Sequence, residues 1–268
     1  MRARAGGFSR QRFLQTGDPS REAFALDVPR WRSIGGPAIN RPVVSADTNR
    51  SREPVLAYVL GDALYLNVTS ACTLACVFCP KIRDGDFTVG GYDLRLRRDP
   101  SADEVWAAAL AAGIEGRSEV VFTGFGEPTR RLAVVVDLVR RLRAAGVRRV
   151  RLDTDGLASL REGRDVIPEL AAAGLEAVSV SLNAPDAEAY ARLCPSQYGP
   201  AAYDAMRAFV RSAVAHLPDV AVSAVAVPGN DEGACRAAAE ALGARFRWRP
   251  YDRLGRIEGT GASGPVVT

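Results

Sequence analysis

The sequence predicts an α/β protein, a partial, TIM-like (β/α)6 barrel of parallel strands with the helices outside. Between residues 63 and 250, short apolar, β-branched segments alternate with amphipathic helical segments. This alternation is typical of a parallel sheet covered by helices. A complete eight-stranded barrel needs about 250 residues, or roughly 31 per βα unit, so the 188 residues of this stretch suffice for about six units. An open doubly wound sheet is the alternative architecture.

A hairpin begins the barrel domain, which we place at residues 56–252. Two apolar segments, 55–60 and 63–68, are separated by Gly61-Asp62, a dipeptide typical of tight turns. A polar stretch rich in Gly, Asp and Arg follows at 81–98. A helix then begins near Ser101, because Ser101 and Glu104 have the spacing of a capping box.

The remaining elements alternate along the chain. Strands are predicted at 119–123, 150–153, 177–182, 220–227 and 245–249. Helices are predicted at 132–145, 164–173, 186–216 and 232–242, with a break in 186–216 near Cys194-Pro195 and Gly199-Pro200. Residues 1–55 lack periodicity and are expected to form an extended or disordered leader, and residues 253–268 a flexible, Gly-rich tail.

Composition limits the classes of protein that the chain can represent. The 268 residues are 47% hydrophobic and 25% charged, as in ordinary soluble globular proteins. Lys81 is the only lysine, and a net charge of +4 gives little indication of nucleic acid, which stays open as a partner. Five cysteines, an odd number, favour a reducing compartment. Without a membrane-spanning apolar run or a recognisable signal peptide, we expect a cytoplasmic protein.

Three cysteines stand in a C-x3-C-x2-C pattern directly after the apolar run that ends at Val68: Cys72, Cys76 and Cys79. Thiolates are the ligands of iron–sulfur clusters, and a [4Fe-4S] cubane normally takes four of them. Three cysteines would leave one iron without a protein ligand and open to a small chelating molecule. Phe78 would place an aromatic face beside that molecule.

Two other interpretations of these cysteines stay open. Positions 72, 76 and 79 also have the spacing of one helix face, which would suit buried core cysteines. A structural zinc site would need a fourth ligand nearby, and His216 is the only histidine. Cys194 and Cys235 are too few and too far apart to hold a second cluster by themselves.

Ligands of parallel barrels bind at the carboxyl ends of the strands. The strand at 119–123 is followed by Gly124-Phe125-Gly126-Glu127-Pro128. Glycines there let a ligand approach the backbone closely, strand-edge carbonyls can accept hydrogen bonds from an ammonium group, and Glu127 adds negative charge. The same residues also suit a tight strand-to-helix turn.

Polar side chains follow the next strands as well. Asp153 can accept both hydroxyls of a ribose, whereas an Asx-type turn around Asp155 is the alternative. Ser181 and Asn183 alternate with apolar residues and are expected to point into the barrel mouth, unless Asn183 merely caps the next helix. On the last strand, residues 247 and 249 are arginines on one face, which could hold an anionic substrate or face solvent.

These segments resemble the radical SAM superfamily. Its cluster loop reads C-x3-C-x-(aromatic)-C, as residues 72–79 do. Gly126-Glu127-Pro128 matches the last three residues of its Gly-Gly-Glu-Pro motif, whose first glycine is matched by Gly124 or replaced by Phe125, depending on the alignment. The segment 153–156 resembles its Asp-Thr-Asn-Gly segment, with Asp155 where Asn is common. In the order of segments from 63 to 251, the chain looks most like the TatD family-associated radical SAM proteins, short single-cluster members whose substrate is not established.

The resemblance implies an enzyme with two cofactors, a [4Fe-4S] cluster and S-adenosyl-L-methionine. The cluster would cleave S-adenosylmethionine reductively, and a 5′-deoxyadenosyl radical would abstract hydrogen from an unidentified substrate. An electron donor such as flavodoxin or ferredoxin is expected, and no catalytic residue is assigned beyond the cluster ligands. The implied cluster ligands are Cys72, Cys76 and Cys79, and the implied S-adenosylmethionine residues are Phe78, Gly124, Phe125, Gly126, Glu127, Asp153, Asp155, Ser181 and Asn183.

Rival functions remain at this stage. Within the superfamily, a glycyl-radical activase or a 7-deazaguanine-type synthase would also use a small single-cluster barrel. Outside catalysis, the chain could be a non-catalytic iron–sulfur or zinc protein that serves electron transfer or structure.

Overall fold

The structure, a computed structural model, describes residues 53–251. Its strands are β1 (Ala57–Leu60), β2 (Ala63–Leu66), β3 (Thr88–Val89), β4 (Tyr92–Asp93), β5 (Val120–Phe122), β6 (Val150–Thr154), β7 (Ala177–Ser181), β8 (Asp219–Val225) and β9 (Arg245–Arg249). Its helices are α1 (Pro80–Arg83), α2 (Ala102–Ala112), α3 (Leu132–Ala144), α4 (Ala158–Glu162), α5 (Ile167–Ala173), α6 (Ala187–Leu193), α7 (Ala201–His216) and α8 (Glu232–Glu240).

The main sheet of this described part contains seven strands in the order β1-β2-β5-β6-β7-β8-β9. Only β1 pairs antiparallel with its neighbour, and the other neighbouring pairs are parallel. Helices intervene between the successive parallel strands. The predicted fold class, a mostly parallel sheet of a partial barrel with helices, is therefore confirmed, and the antiparallel β1 is the predicted hairpin arm.

The register of the strands separates the sheet into two faces. Leu66, Phe122, Leu152 and Val178 form one row across β2, β5, β6 and β7, and all four are buried in the core shared with the helices. The opposite side, called the inner face below, is defined by Tyr65, Arg151, Asp153, Ser179, Ser181, Ser223, Arg247 and Arg249. This sheet therefore differs from parallel sheets that are apolar on both faces, and its polar inner face is the side on which we expect a ligand.

The helices pack through the periodic apolar faces that the sequence predicts. In α2, the Ser101 hydroxyl accepts from the Glu104 N–H at 3.2 Å, and the Glu104 carboxylate accepts from the Ser101 N–H at 2.7 Å. This is the predicted capping box. In α3, positions 135, 138, 139 and 142 are fully buried valines and leucines, one face of the helix.

The predicted helix at 164–173 is wrong in its first turn. The structure has two short helices, α4 and α5, because Gly163 takes φ 64° and ends α4 with a left-handed residue. The Asp165 carboxylate then accepts from the Ile167 N–H at 3.0 Å and begins α5. The predicted break in 186–216 is confirmed, since α6 ends at Leu193 and α7 begins at Ala201.

Two further predictions concern the ends of the chain and membranes. The predicted leader at 1–55 and tail at 253–268 lie almost entirely outside the described residues. Between residues 53 and 251, no helix has both the length and the apolar character that a bilayer crossing requires.

Candidate active site

The cysteine loop connects the carboxyl end of β2 to α1. Cys79 is the residue before the first turn of α1, and its carbonyl accepts from the Ile82 and Arg83 N–H groups at 2.9 Å each. The Cys79 N–H in turn donates to the Cys76 carbonyl at 3.0 Å. Cys72 and Cys76 lie in the loop, so the alternative that places all three cysteines on one helix face is wrong. All three thiols are free and half-buried.

A distant segment holds this loop in place. Residues 193–197, which follow α6, run antiparallel to residues 73–77 and include a β-bridge between Leu74 and Ser196. The Ala75 N–H donates to the Pro195 carbonyl at 2.8 Å, and the Val77 N–H donates to the Leu193 carbonyl at 2.9 Å. No sequence pattern predicts this pairing, because its partners are more than a hundred residues apart.

The pairing also brings a fourth thiol to the loop. The buried Cys194 is hydrogen-bonded to Cys76, and this bond together with burial raises the pKa of Cys76 well above its usual range. Burial likewise raises the pKa of Cys72 and of Cys79. Cys76 interacts electrostatically with both other cysteines of the loop. The three sulfurs therefore share one neighbourhood, as a common cluster requires.

The donor set fits a cluster better than a single ion. Among residues 53–251, no three His, Cys, Asp or Glu side chains are arranged to hold one metal ion. A cubane makes a different demand, since each cysteine binds its own iron and the sulfurs need not converge on one point. Thiols on a loop at the strand ends, part exposed and outside any disulfide, match that demand.

Glu127 is fully engaged by its own protein. Its Oε1 accepts from the Thr129 N–H at 2.9 Å, from the Thr129 hydroxyl at 2.6 Å and from the Thr154 hydroxyl at 2.8 Å. Its Oε2 accepts from the Asp155 N–H at 2.7 Å. Burial, together with the nearby Asp155 carboxylate, raises the pKa of Glu127. The observed contacts of Glu127 join the ends of β5 and β6, whereas its predicted contact with an ammonium group stays a prediction.

A side chain at either glycine of this segment would collide with the protein itself. A Cβ on Gly126 would lie 2.2 Å from the Thr69 carbonyl oxygen and 2.7 Å from that of Ala71. A Cβ on Gly124, which has φ 144°, would lie 2.8 Å from the Asn67 side-chain oxygen. Both glycines are therefore required by the close passage of the chain that leads into the cysteine loop.

Asp155 connects the end of β6 to the cysteine loop. Its carboxylate accepts from the Thr73 hydroxyl and, at 2.9 Å, from the Leu157 N–H. Burial raises the pKa of Asp155, and these hydrogen bonds oppose the rise. The bond to Leu157 is the Asx-type turn that the sequence offered as an alternative. Thr73, which the sequence analysis missed, is its partner in the loop.

The chain's one lysine makes a second connection. The Lys81 ammonium donates to the Ser70 carbonyl at 2.9 Å and to the Phe125 carbonyl at 3.1 Å. It thus links α1, the entry of the cysteine loop and the glycine segment after β5. Charge-assisted bonds of this kind are stronger than neutral ones. No sequence pattern marks Lys81 apart from its uniqueness.

The predicted residues of β6 and β7 divide between the inner face and the strand ends. Asp153 forms an ion pair with Arg151; burial raises the pKa of Asp153, and the charges of Arg151 and Arg249 oppose that rise. Ser181 is paired in register with Ser223 of β8. Both serines and Asp153 belong to the inner face, as the predicted orientation toward the barrel mouth requires.

Asn183 has two unusual features. Its φ of 57° lies in the left-handed region, which residues other than glycine rarely adopt, and its side chain is buried. Its amide nitrogen donates to the Cys194 sulfur at 3.3 Å, while its side-chain oxygen is buried without a partner among the described residues. Its carbonyl accepts from the Asn230 side chain at 2.8 Å. A buried acceptor without a donor is costly, and a bound ligand would satisfy it.

The two aromatic candidates lie in different places. Phe78 is buried in the main core and is only 8% exposed, so its predicted contact with a bound molecule would involve a small part of the ring. Phe125 packs against a second apolar cluster beside β1 and β2, with its ring 5.5 Å from that of Phe87. Phe78 thus lies in the cysteine loop and Phe125 in the glycine segment, and neither ring is fully exposed.

A family comparison decides the affiliation of the chain. Residues 66–242 match the sequence profile described as the radical SAM superfamily. The chain belongs to the radical SAM superfamily. The matched range includes the cysteine loop, the glycine segment and the parallel strands β5 to β8. As members of this superfamily are enzymes, the chain is a radical SAM enzyme.

Curated relatives of this radical SAM protein include two kinds of enzyme. A GTP 3′,8-cyclase from Synechococcus elongatus is 33% identical over 170 residues, covering 60% of this chain and 45% of that protein. A probable dual-specificity RNA methyltransferase RlmN from Rhodococcus erythropolis is 35% identical over 147 residues, covering 49% and 37%. The chain thus spans less than half the length of these relatives, so their substrates do not transfer with the match.

Two solved structures share the fold. Streptococcus suis SuiB bound to the precursor peptide SuiA superposes with a TM-score of 0.53 at 16% identity, over 70% of this chain and 39% of SuiB. A radical SAM methyltransferase from Sphaerobacter thermophilus superposes with a TM-score of 0.51 at 18% identity, over 74% and 69%. At these identities the likeness establishes the fold alone.

Proposed function

We propose that Cys72, Cys76 and Cys79 hold one [4Fe-4S] cluster and that S-adenosylmethionine binds beside it at the strand ends. The observation that supports this proposal most is the position of the cysteine loop and the way it is held. Three half-buried, free thiols lie on a loop at the carboxyl edge of a parallel sheet, and Asp155 and Lys81 connect that loop to the segments after β6 and β5.

When bound, the cluster supplies one electron that cleaves S-adenosylmethionine to a 5′-deoxyadenosyl radical, which abstracts hydrogen from the substrate. The chain's own residues position and shelter this chemistry. The residues proposed to contact S-adenosylmethionine are Phe78, Gly124, Phe125, Gly126, Glu127, Asp153, Asp155, Ser181 and Asn183. Within that set, the unpartnered oxygen of Asn183 is an acceptor for a hydroxyl or amino group, and Glu127 holds the ends of β5 and β6 together.

The finer affiliation and the partners are also proposals. The order of segments from 63 to 251 supports membership of the TatD family-associated subgroup, which does not supply a substrate. An electron donor such as flavodoxin or ferredoxin would deliver the electron. Some curated relatives are named as RNA methyltransferases, so RNA stays open as a substrate, and a 7-deazaguanine-type reaction fits the relatives only loosely.

Metal analysis of cysteine variants tests the proposed cofactor. Anaerobic reconstitution with iron and sulfide should load about four irons per chain in the wild type. Cys76→Ser should lower that number strongly, whereas Cys235→Ala should not, because Cys235 lies in α8, outside the cysteine loop. About one zinc per chain, with no iron uptake, would contradict the proposal and favour a structural metal site.

A further inference from the structure

The inner face of the barrel carries an excess of positive charge. Among residues 53–251, five arginines and three carboxylates lie on or beside it, a net excess of two positive charges: Arg149, Arg151, Arg245, Arg247 and Arg249 against Glu119, Asp153 and Asp219. Arg245 and Arg247 are exposed on β9, whereas Arg249 is half-buried, so an anionic ligand would be drawn to this face and most shielded from water at Arg249.

All three carboxylates already form ion pairs, and two of them lie at the amino ends of the strands. Glu119 pairs with Arg149 at 3.2 Å and with Arg151 at 2.9 Å. Asp219 pairs with Arg149 and with Arg245. Asp153, the acid nearest the mouth, pairs with Arg151. Glu119 and Asp219 thus compensate charge at the amino ends of the strands, whereas Asp153 lies near the carboxyl end of β6.

Arg249 lies at the other end. It is half-buried on β9, opposite Val225, and it interacts electrostatically with Asp153, Arg247 and Arg151. Burial lowers the pKa of Arg249, and two of its three charged neighbours are cations. Among residues 53–251, its guanidinium makes no hydrogen bond and no ion pair. Its five N–H donors on the polar inner face are therefore left for another molecule.

The end of β9 places Arg249 beside the cysteine loop. Tyr251, two residues further along, accepts a hydrogen bond from Arg83 at 2.7 Å, and the Arg83 guanidinium lies 5.9 Å from its ring. Arg83 belongs to α1, the helix that begins at Cys79. Arg249 is consequently close to the mouth where the proposed radical chemistry would occur, and Arg247, Ser223 and Ser181 continue the inner face in register.

We propose that Arg249, with Arg247 beside it, binds an oxyanion of the substrate, a phosphate or a carboxylate group. This inference rests on the proposed function and specifies the class of substrate. A guanidinium presents paired donors to both kinds of oxyanion, and it is more weakly hydrated than an ammonium group. Bound there, the anion would hold the substrate on the inner face with its remaining atoms toward the cysteine loop.

Binding of small anions to the full reconstituted chain tests the inference. We would titrate inorganic pyrophosphate in one arm and succinate in the other by calorimetry, at constant ionic strength with chloride as background. One of the two should bind saturably, which identifies the oxyanion. Arg249→Gln should weaken that binding at least about tenfold, as expected when a charged hydrogen bond is lost. Arg140→Gln, on the exposed surface of α3, is the matched control and should leave the affinity unchanged.

Two further measurements distinguish loss of anion binding from a folding defect: the stability of Arg249→Gln and the anion affinity of a second variant. Because Arg249 makes no hydrogen bond, Arg249→Gln should leave the melting temperature unchanged or raise it, whereas a structural arginine would lower it on removal. Asp153→Asn removes the nearest carboxylate and should tighten anion binding severalfold, since like charge opposes an anion.

Several results would overturn the inference. They are a lack of saturable binding of either anion, equal binding by Arg249→Gln and Arg140→Gln, and a loss of S-adenosylmethionine affinity in Arg249→Gln without a change in anion affinity. The last result would assign Arg249 to the cofactor. A wild-type chain that cleaves S-adenosylmethionine but binds neither anion contradicts this inference alone, and a chain that binds the anion through Arg249 without cleavage contradicts the proposed function.

Discussion

Gly126 is required at its position by close contact with the protein's own backbone. Its amide segment passes so close to Thr69 and Ala71 that a single added carbon has no room. The Glu127 N–H, next in the chain, donates to the Ala71 carbonyl at 2.8 Å, which fixes the approach. The glycine therefore shapes the entry of the cysteine loop whether or not it also contacts a ligand.

Gly126→Ala is expected to destabilise the protein by about 3 kcal/mol or more, because the added Cβ overlaps main-chain oxygens that cannot rotate away. Chemical denaturation of the unloaded chain measures this loss. Iron uptake should fall as well, since the loop would shift. Gly233→Ala is the control: it lies in α8, where alanine favours the helix by roughly 0.5–1 kcal/mol. Equal stability of the two variants would contradict the proposed tight approach.

At the level of residues, sequence patterns predicted chemistry better than geometry. The cysteines, Glu127 and Asn183 could all be singled out, since each follows a strand or a recognisable spacing. Glu127 was expected to present its charge to a ligand, but four internal hydrogen bonds occupy it. Thr73 and Cys194 were missed, because their partners are distant in the chain and no local pattern reveals a tertiary contact.

Among the elements, the antiparallel pairing of residues 73–77 with 193–197 is decisive for the cysteine loop. A loop with little regular structure needs external hydrogen bonds to hold three sulfurs in register. Here, the segment after α6 provides them. The pairing also explains why the helical region 186–216 is interrupted: the chain leaves the helix at Leu193 to reach the loop and returns to it at Ala201.

Ala75→Pro removes the N–H that donates to the Pro195 carbonyl and should disrupt this pairing. We expect reconstituted iron to fall to less than half of the wild-type value, with a smaller effect on the far-ultraviolet circular dichroism of the rest of the barrel. Ala75→Ser retains the N–H at the same exposed position and is the control. Full iron loading of the proline variant would show that the pairing is dispensable.

The charged residues next to β5 and β6 make the free energy of unfolding depend on pH. Burial raises the pKa of Glu119, but hydrogen bonds and charge from Arg151 and Arg149 outweigh it, so the pKa lies below its usual value. A depressed pKa in the folded state stabilises the protein above the unfolded pKa of about 4.3, and that stabilisation is lost as the pH falls through the folded value.

Glu119→Gln should therefore cost about 1 to 2 kcal/mol near pH 7, between the values for exposed and buried ion pairs. Urea unfolding of the wild type and the variant from pH 7 to pH 3 measures the difference, which should shrink toward the acid end. Glu240→Gln, on the exposed surface of α8, should show little difference at any pH. A constant difference across this range would mean that the carboxylate acts through packing alone.

For the whole molecule, the fold could be predicted from the sequence because its signals are local and repeated. Strand and helix periods alternate from β2 to β9, and the length sets the number of units. The short helix α4, which ends at Gly163, was missed, because five residues are too few to show a helical period in the sequence. The charge distribution of the inner face was also out of reach, since it depends on the register of five strands and not on any one of them.

The most direct measurement of the central claim is the formation of 5′-deoxyadenosine. The full chain, reconstituted anaerobically, is mixed with S-adenosylmethionine and dithionite, and the product is quantified by chromatography. We expect 5′-deoxyadenosine to form in the wild type and in Cys235→Ala, and to be lost in Cys79→Ser. A wild-type chain that carries the cluster, as judged by its absorbance, and releases no 5′-deoxyadenosine would contradict the account.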